Sequence, residues 1–202
     1  MALEHADVET ALTSLLPEVP HAEVRLVGTA SSVLRGIPLT ANDVDILFRQ
    51  RSDVHAWFDA LSGVVEVDTA PVWLADACQY FARVSAHGVV VELSTVEIES
   101  EYDTVECLGE GPWRHFDVLD RRRWSIPAVA TELRLITEVS RGRADRYRPM
   151  IDHLRVAGCD LALLRRGLQN AGIASDEAEA LLSALSVSIV PDSGIAQIRQ
   201  EE

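Results

Sequence analysis

Asp43-Val44-Asp45-Ile46 is the stretch of this chain best equipped for chemistry. Strand residues i and i+2 share a face, so Asp43 and Asp45 present two carboxylates side by side, with Val44 and Ile46 on the opposite, buried face. Two like charges that close repel, and each keeps its proton unless a cation sits between them. A hard divalent ion with oxygen ligands, Mg2+ or Mn2+, resolves the conflict. Upstream, Leu26-Val27 ends at Gly28 and runs into the hydroxyl-rich turn Thr29-Ala30-Ser31-Ser32. Thr29, Ser31 and Ser32 can donate to phosphate oxygens, and the start of a helix there adds backbone N–H groups. A further carboxylate, Glu92, stands inside the apolar run Val89 to Leu93, where burial without a partner is costly. If that strand pairs beside Val44 to Phe48, Glu92 joins the same cluster, ligates the ion and helps take a proton from an attacking hydroxyl.

Competing readings exist for each of these groups. Glu66 and Asp68 in Val64-Val65-Glu66-Val67-Asp68 are the other candidates for the third carboxylate, although alternation there reads as the solvated face of an edge strand. Glu97, Glu99 and Glu101 read as a solvated strand edge too. The six histidines lack ligand spacing, which disfavours zinc. Trp57 sits at helical spacing and reads as core, whereas Trp73, Trp113 and Trp124 lie near loops, where an indole can stack on a base or acceptor. Arg121-Arg122-Arg123 and the run Arg141 to Arg148 are either solvated faces or cleft-facing guanidiniums that neutralise triphosphate. Of these, Arg141 and Arg143 are the candidates for nucleotide binding.

The elements that must position these groups follow from hydrophobic spacing. Val8, Ala11, Leu12, Leu15 and Leu16 mark a helix that stops at Pro17. Strands are expected at Val24 to Val27, Val44 to Phe48, Val64 to Val67, Phe81 to Ser85 and Val89 to Leu93, the last two joined by a tight Ala86-His87-Gly88 turn. Short helical turns are expected from Ala30 to Arg35, and a helix from Asp53 to Leu61. After Arg114 the pattern turns helical, with Pro127 opening a helix to about Ser140, then helices near Ala144–Ala157, Leu161–Ala171 and Ser175–Leu185. Strands first and helices last predict an α+β fold: a mixed-sheet core over residues 1–112 and a helical C-terminal region over 113–202.

Composition narrows the function classes. The chain has 202 residues and a formal net charge of −14, and every one of its 18 basic residues is arginine. Without lysine there is no Schiff base and no P-loop. The average field repels nucleic acid, but charge is uneven: residues 1–113 sum to −14, residues 114–166 to +5 and residues 167–202 to −5. Any RNA contact is thus confined to Arg114–Arg166. The isolated Cys78, Cys107 and Cys159 read as reduced core residues. No apolar run is long enough to span a membrane. Glu4, Asp7 and Glu9 stand where a secretion signal would be basic, so a cytoplasmic location is expected.

Val27-Gly28-Thr29, Asp43-Val44-Asp45-Ile46 and Val91-Glu92-Leu93 together resemble the signature of the nucleotidyltransferase superfamily related to DNA polymerase β, over about residues 24 to 95. Arg35-Gly36 looks like the helix ending of its small bacterial members, and Thr29 stands where the family more often has Ser or Gly. The resemblance implies transfer of a nucleoside monophosphate from an NTP to an acceptor hydroxyl, with Asp43 and Asp45 holding two metal ions and Glu92 the catalytic one. The expected acceptor is a small molecule such as an aminoglycoside or lincosamide, whose positive charge suits an acidic body. The alternatives are tRNA or a protein, as for toxin-type members of toxin–antitoxin systems, and a non-catalytic nucleotide-binding protein of the same fold.

Overall fold

The computed structural model describes residues 2–97 and 105–186. Glu99 and Glu101, and the acidic tail beyond residue 186, lie outside the described residues. The chain opens with α1 (His5–Leu15), then β1 (Val24–Val27), α2 (Gly28–Leu34), β2 (Val44–Phe48) and α3 (Arg51–Leu61). Three strands follow: β3 (Glu66–Leu74), β4 (Gln79–Ala86) and β5 (Val89–Val96). A 3-10 turn (Val105–Cys107) and the one-turn helix α4 (Gly111–Arg114) lead into β6 (Phe116–Asp120) and β7 (Ser125–Val129). The chain then stays helical through α5 (Thr131–Ser140), α6 (Ala144–Ala157), α7 (Leu161–Asn170) and α8 (Ser175–Ser186).

All seven strands form one mixed sheet in the order β3-β4-β5-β2-β1-β7-β6. β2 runs antiparallel to β1 and parallel to β5, which makes it a central strand with both edges paired. Alternation in these strands sorts side chains between two cores. Val24, Leu26, Val44, Ile46, Phe48, Val91 and Leu93 pack on one face beneath α1 and α3. α3 buries Val54, Trp57 and Leu61 at helical spacing, and Trp57 meets Phe48 edge-on with ring centres 4.9 Å apart. On the other face Val27, Leu47 and Val129 form a second core with α5 to α8. There a Cβ on Gly167 would come 2.1 Å from Ile136 Cδ1, so glycine allows α7 its close approach to α5.

The β4–β5 hairpin has the expected tight turn, with Ala86 opposite Val89. Both His87 (φ 54°) and Gly88 (φ 76°) are left-handed, as a two-residue turn matching strand twist requires. β3 is an exposed edge strand, and Glu66 and Asp68 lie on solvent. The expectation that only helices follow Arg114, the first opening at Pro127, is corrected. Residues 116–129 form two strands that extend the sheet, and Arg121 N–H donates to the Trp124 carbonyl at 2.9 Å across their connecting turn. Pro127 lies in β7 opposite Val118 rather than opening a helix. Ile126 and Ala128, alternating and buried, decide the strand, and the helix starts at Thr131. The expected division at residue 112 therefore falls before two strands of the sheet.

Candidate active site

The β-sheet register brings the predicted acids together. Val27 pairs with Asp45, Asp45 with Glu92, and Glu92 with Arg83 of β4. Paired residues project to the same side, so Asp45, Glu92 and Arg83 form a row across three adjacent strands, on the face opposite Val44 and Ile46. Asp43 precedes β2 by one residue and adds its charge to Asp45. Burial, then the charges of Asp43, Glu92 and Glu106, push the Asp45 carboxyl up to about 8, against the opposing pull of Arg134.

Gly28 sets the position of this carboxylate. Its φ is +69°, and a Cβ there would lie 2.0 Å from Asp45 Oδ2. Only glycine combines that backbone with that approach. The seven-residue α2 that follows is buried along its whole length. Ser31 Oγ donates to the Gly28 carbonyl at 2.8 Å, which fixes the turn, and Ser32 is buried. Arg35 closes α2 by donating to the carbonyls of Ser31, Ala128 and Val129, which ties the helix to β7.

Thr29 is the meeting point with the helical region. Its hydroxyl oxygen accepts from Arg134 Nη2 at 3.0 Å and from Arg146 Nη1 at 2.5 Å. Arg134, on α5, is buried between Glu106 and Glu138 and ion-paired to both. Burial disfavours its charge, but Glu106 and Glu138 outweigh that and raise its pKa. Glu138 Oε2 lies 2.6 Å from Arg143 Nε. Among the described residues, buried Glu106 Oε2 has no hydrogen-bond partner.

The segment that carries Glu106 is clamped by stacked cations. Arg25 of β1 lies 3.8 Å from the Phe116 ring centre and 5.0 Å from that of Trp113. It also donates to the carbonyls of Pro112 (2.8 Å) and Trp113 (3.0 Å). Arg49 covers Trp113 at 5.0 Å and pairs with Glu110 at 2.6 Å. A guanidinium serves this purpose because it stacks and donates in its own plane at once. Trp113 is thus held by arginines, as Trp73 is by Arg51 at 4.6 Å. Trp124 is buried and donates to Thr13 Oγ1 at 2.9 Å.

Of the residues expected from sequence, Gly28, Thr29, Asp43, Asp45 and Glu92 come together. Arg143 reaches the edge of the group through Glu138, and Arg141 is exposed at the end of α5. Glu106, Arg134 and Glu138 were missed, and Arg146 was named only as part of the run Arg141 to Arg148, behind Arg141 and Arg143. Arg134 and Glu138 form an i, i+4 pair of opposite charge, but they fall on the side of α5 away from Leu133, Ile136 and Val139, where such a pair reads as solvated. Glu106 carried no signal, since its 3-10 turn Val105–Cys107 belongs to no helix or strand that hydrophobic spacing marks.

The donor set of Asp43 and Asp45 suits a hard cation, with oxygen ligands whose mutual repulsion a cation relieves. Glu92 does not complete the set as it stands. Arg83 Nε and Nη2 both donate to its Oε1, at 3.1 and 2.5 Å. Among the described residues no three His, Cys, Asp or Glu side chains close around one point.

The fold is nucleotidyltransferase-like, an α+β architecture with a mixed sheet. It is similar to an antigenic nucleotidyltransferase-like protein of Paracoccidioides brasiliensis, with a TM-score of 0.54 at 14% identity over 91% of this chain and 95% of that one. A candidate nucleotidyltransferase of Thermotoga maritima also matches, with a TM-score of 0.45 at 16% identity over 67% of this chain and 83% of that one. No protein-family profile matches this chain, and no curated protein matches it by sequence. Among the described residues no helix is long and apolar enough to cross a membrane.

Proposed function

We propose that this chain is a nucleotidyltransferase that uses Mg2+ (or Mn2+) to move a nucleoside monophosphate from an NTP onto an acceptor hydroxyl. The observation that carries the reading is the Asp45 carboxylate, seated against Gly28 with Asp43 and Glu92 crowding it, on a nucleotidyltransferase-like fold. Asp43 and Asp45 would hold the metal, which when bound supplies charge neutralisation for the α-phosphate and the leaving group. The chain's own residues do the remaining work. Thr29, beside Gly28, meets the triphosphate at the β1 end of the row. The acceptor then enters from the opposite end, near Glu92 and Arg83. The acceptor oxygen bonds to the α-phosphorus as the bond to pyrophosphate breaks, and Glu92, freed from Arg83, takes the hydroxyl proton.

The acceptor in this reading is a small hydroxylated molecule such as an aminoglycoside or lincosamide, and the net charge of −14 favours a cationic one. The exposed Arg122 and Arg123 in the β6–β7 turn favour a second reading, in which RNA is the acceptor and rests its phosphates there, as for toxin-type members. The test is incubation with each NTP and Mg2+, scored by pyrophosphate release and by mass spectrometry of an aminoglycoside panel, total tRNA and the protein itself. Release that disappears in Asp43→Ala/Asp45→Ala supports the reading. Unchanged Mg–NTP binding by that double variant removes it.

A further inference from the structure

Two guanidiniums, those of Arg134 and Arg146, donate to the Thr29 hydroxyl, Arg143 stands nearby on Glu138, and the three charges are not equally committed. Arg134 is spent on Glu106 and Glu138. Arg143 is spent on Glu138. Arg146 donates to Thr29 and, among the described residues, has no carboxylate within ion-pairing distance. It also lines a cavity of about 510 Å³ with Val33, Gly36, Thr40 and Asp145, between the end of α2, the start of α6 and the segment that leads to Asp43.

The hydroxyl itself is constrained by its bonding capacity. A threonine oxygen accepts two hydrogen bonds and donates one. Both acceptor positions of Thr29 are filled by Arg134 and Arg146. Its hydrogen has no acceptor among the described residues, so an incoming anionic oxygen is its natural partner. Arg146 contributes one N–H to Thr29 and keeps its other donors, enough for a two-point grip on phosphate.

We infer that Arg146 is the cation that receives the polyphosphate of the nucleotide, with the Thr29 hydroxyl, oriented by Arg134, donating beside it. This rests on the nucleotidyltransferase reading and names the residue that does a lysine's work in a lysine-free chain. Arg134 is a positioning residue in this arrangement, because its own charge is neutralised.

The test is calorimetric titration of the full chain with sodium tripolyphosphate in the absence of divalent ions, alongside the pyrophosphate-release assay with each Mg–NTP. Loss of one charge-assisted contact predicts about ten- to a hundred-fold weaker tripolyphosphate binding in Arg146→Gln. Arg146→Lys loses less, because it keeps the charge without the fork. Arg148→Gln, an exposed neighbour on α6, binds like the parent. Thr29→Val weakens binding too, and adding Arg146→Gln to it costs less than the sum of the two losses. Melting curves confirm that the part-exposed Arg146 is replaced without unfolding. The inference is overturned if the parent does not bind tripolyphosphate, if Arg146→Gln binds like the parent, or if Arg148→Gln loses as much. Tripolyphosphate binding that depends on Arg146, with no pyrophosphate release from any NTP, keeps the site and removes the reading. Release that is indifferent to Arg146→Gln does the reverse.

Discussion

Replacing Arg134 by Met should be among the most destabilising single changes in this chain. Arg134 and both of its partners are buried, with side-chain exposures of 6% for the arginine and 1% for each of Glu106 and Glu138. Removing one member of a buried ion pair costs about 3–5 kcal/mol, because the other charge is left uncompensated. An independent bound comes from protonation. An orphaned glutamate can instead hold a proton at neutral pH, and against an ordinary value of about 4.3 that costs at most ~3.7 kcal/mol per carboxyl. Glu138 keeps Arg143 at 2.6 Å, so Glu106 is the group that loses its ion partner outright. One orphaned carboxyl, not two, sets the scale at about 3–4 kcal/mol, a fall in Tm of roughly 6–16 °C for a chain of this length. The structure also says which second change repairs it. Arg134→Met/Glu106→Gln should recover most of the loss, and Arg134→Met/Glu138→Gln much less. Melting curves of the four proteins decide the matter. A loss under about 1 kcal/mol, or equal rescue by the two glutamines, would refute the account of where the charge is buried.

Asp45→Asn tests the carboxylate row in metal-free buffer: the folded carboxyl releases its proton near 8 and the unfolded one near 3.8, so the parent loses stability as pH rises between them. The variant escapes that loss and should melt above the parent near the upper limit and level with it near the lower; melting below the parent at both would refute the crowding. Gly28→Ala places a side chain at φ +69° against Asp45, which costs about 1–2 kcal/mol in backbone alone and displaces the carboxylate. A Tm equal to the parent's, with Mg–NTP binding intact, would contradict that contact. Burial, with Glu132 and Asp160 nearby, raises the Cys159 thiol to about 12. Native protein treated with iodoacetamide near neutrality should therefore leave Cys159 unmodified by mass spectrometry, and rapid labelling there would show that the thiol is not so placed.

Much of this arrangement was legible in the chain because it is local. The i, i+2 spacing of Asp43 and Asp45, the apolar frame around Glu92 and the glycine before Thr29 all act over a few residues. So do the helical periods of α6, α7 and α8, which begin within a residue of expectation. Pro127 misled because its fixed φ suits both a helix start and an extended strand, and the pairing that decides between them comes from β6. The Thr29 hydroxyl bonds link residues 105 and 117 positions apart. No periodicity records that. Glu106 was invisible for the same reason: its role depends on Arg134, 28 residues away, and on a clamp of stacked arginines that holds its segment in place.

A lysine-free chain obliges arginine to be both scaffold and ligand, and the two uses separate by how the guanidinium is occupied. Arg25, Arg35 and Arg121 each donate to backbone carbonyls of a distant element: Pro112 and Trp113, Ala128 and Val129, and Leu34. These are fixed cross-links that an ammonium, without a planar fork, would make poorly. Much of the positive charge of residues 114–166 is committed inside the chain or to a surface ion pair. Arg134 and Arg143 serve Glu106 and Glu138, Arg155 reaches the Ala184 carbonyl and Arg165 pairs with Glu179. The basic stretch is therefore not a continuous binding face. Its exposed members are scattered: Arg114 stands before β6, Arg122 and Arg123 at the β6–β7 turn, Arg141 and Arg148 on either side of the start of α6, and Arg165 and Arg166 on α7. An RNA acceptor would have to bridge those places, whereas a polyphosphate needs only Arg146 and the hydroxyl beside it.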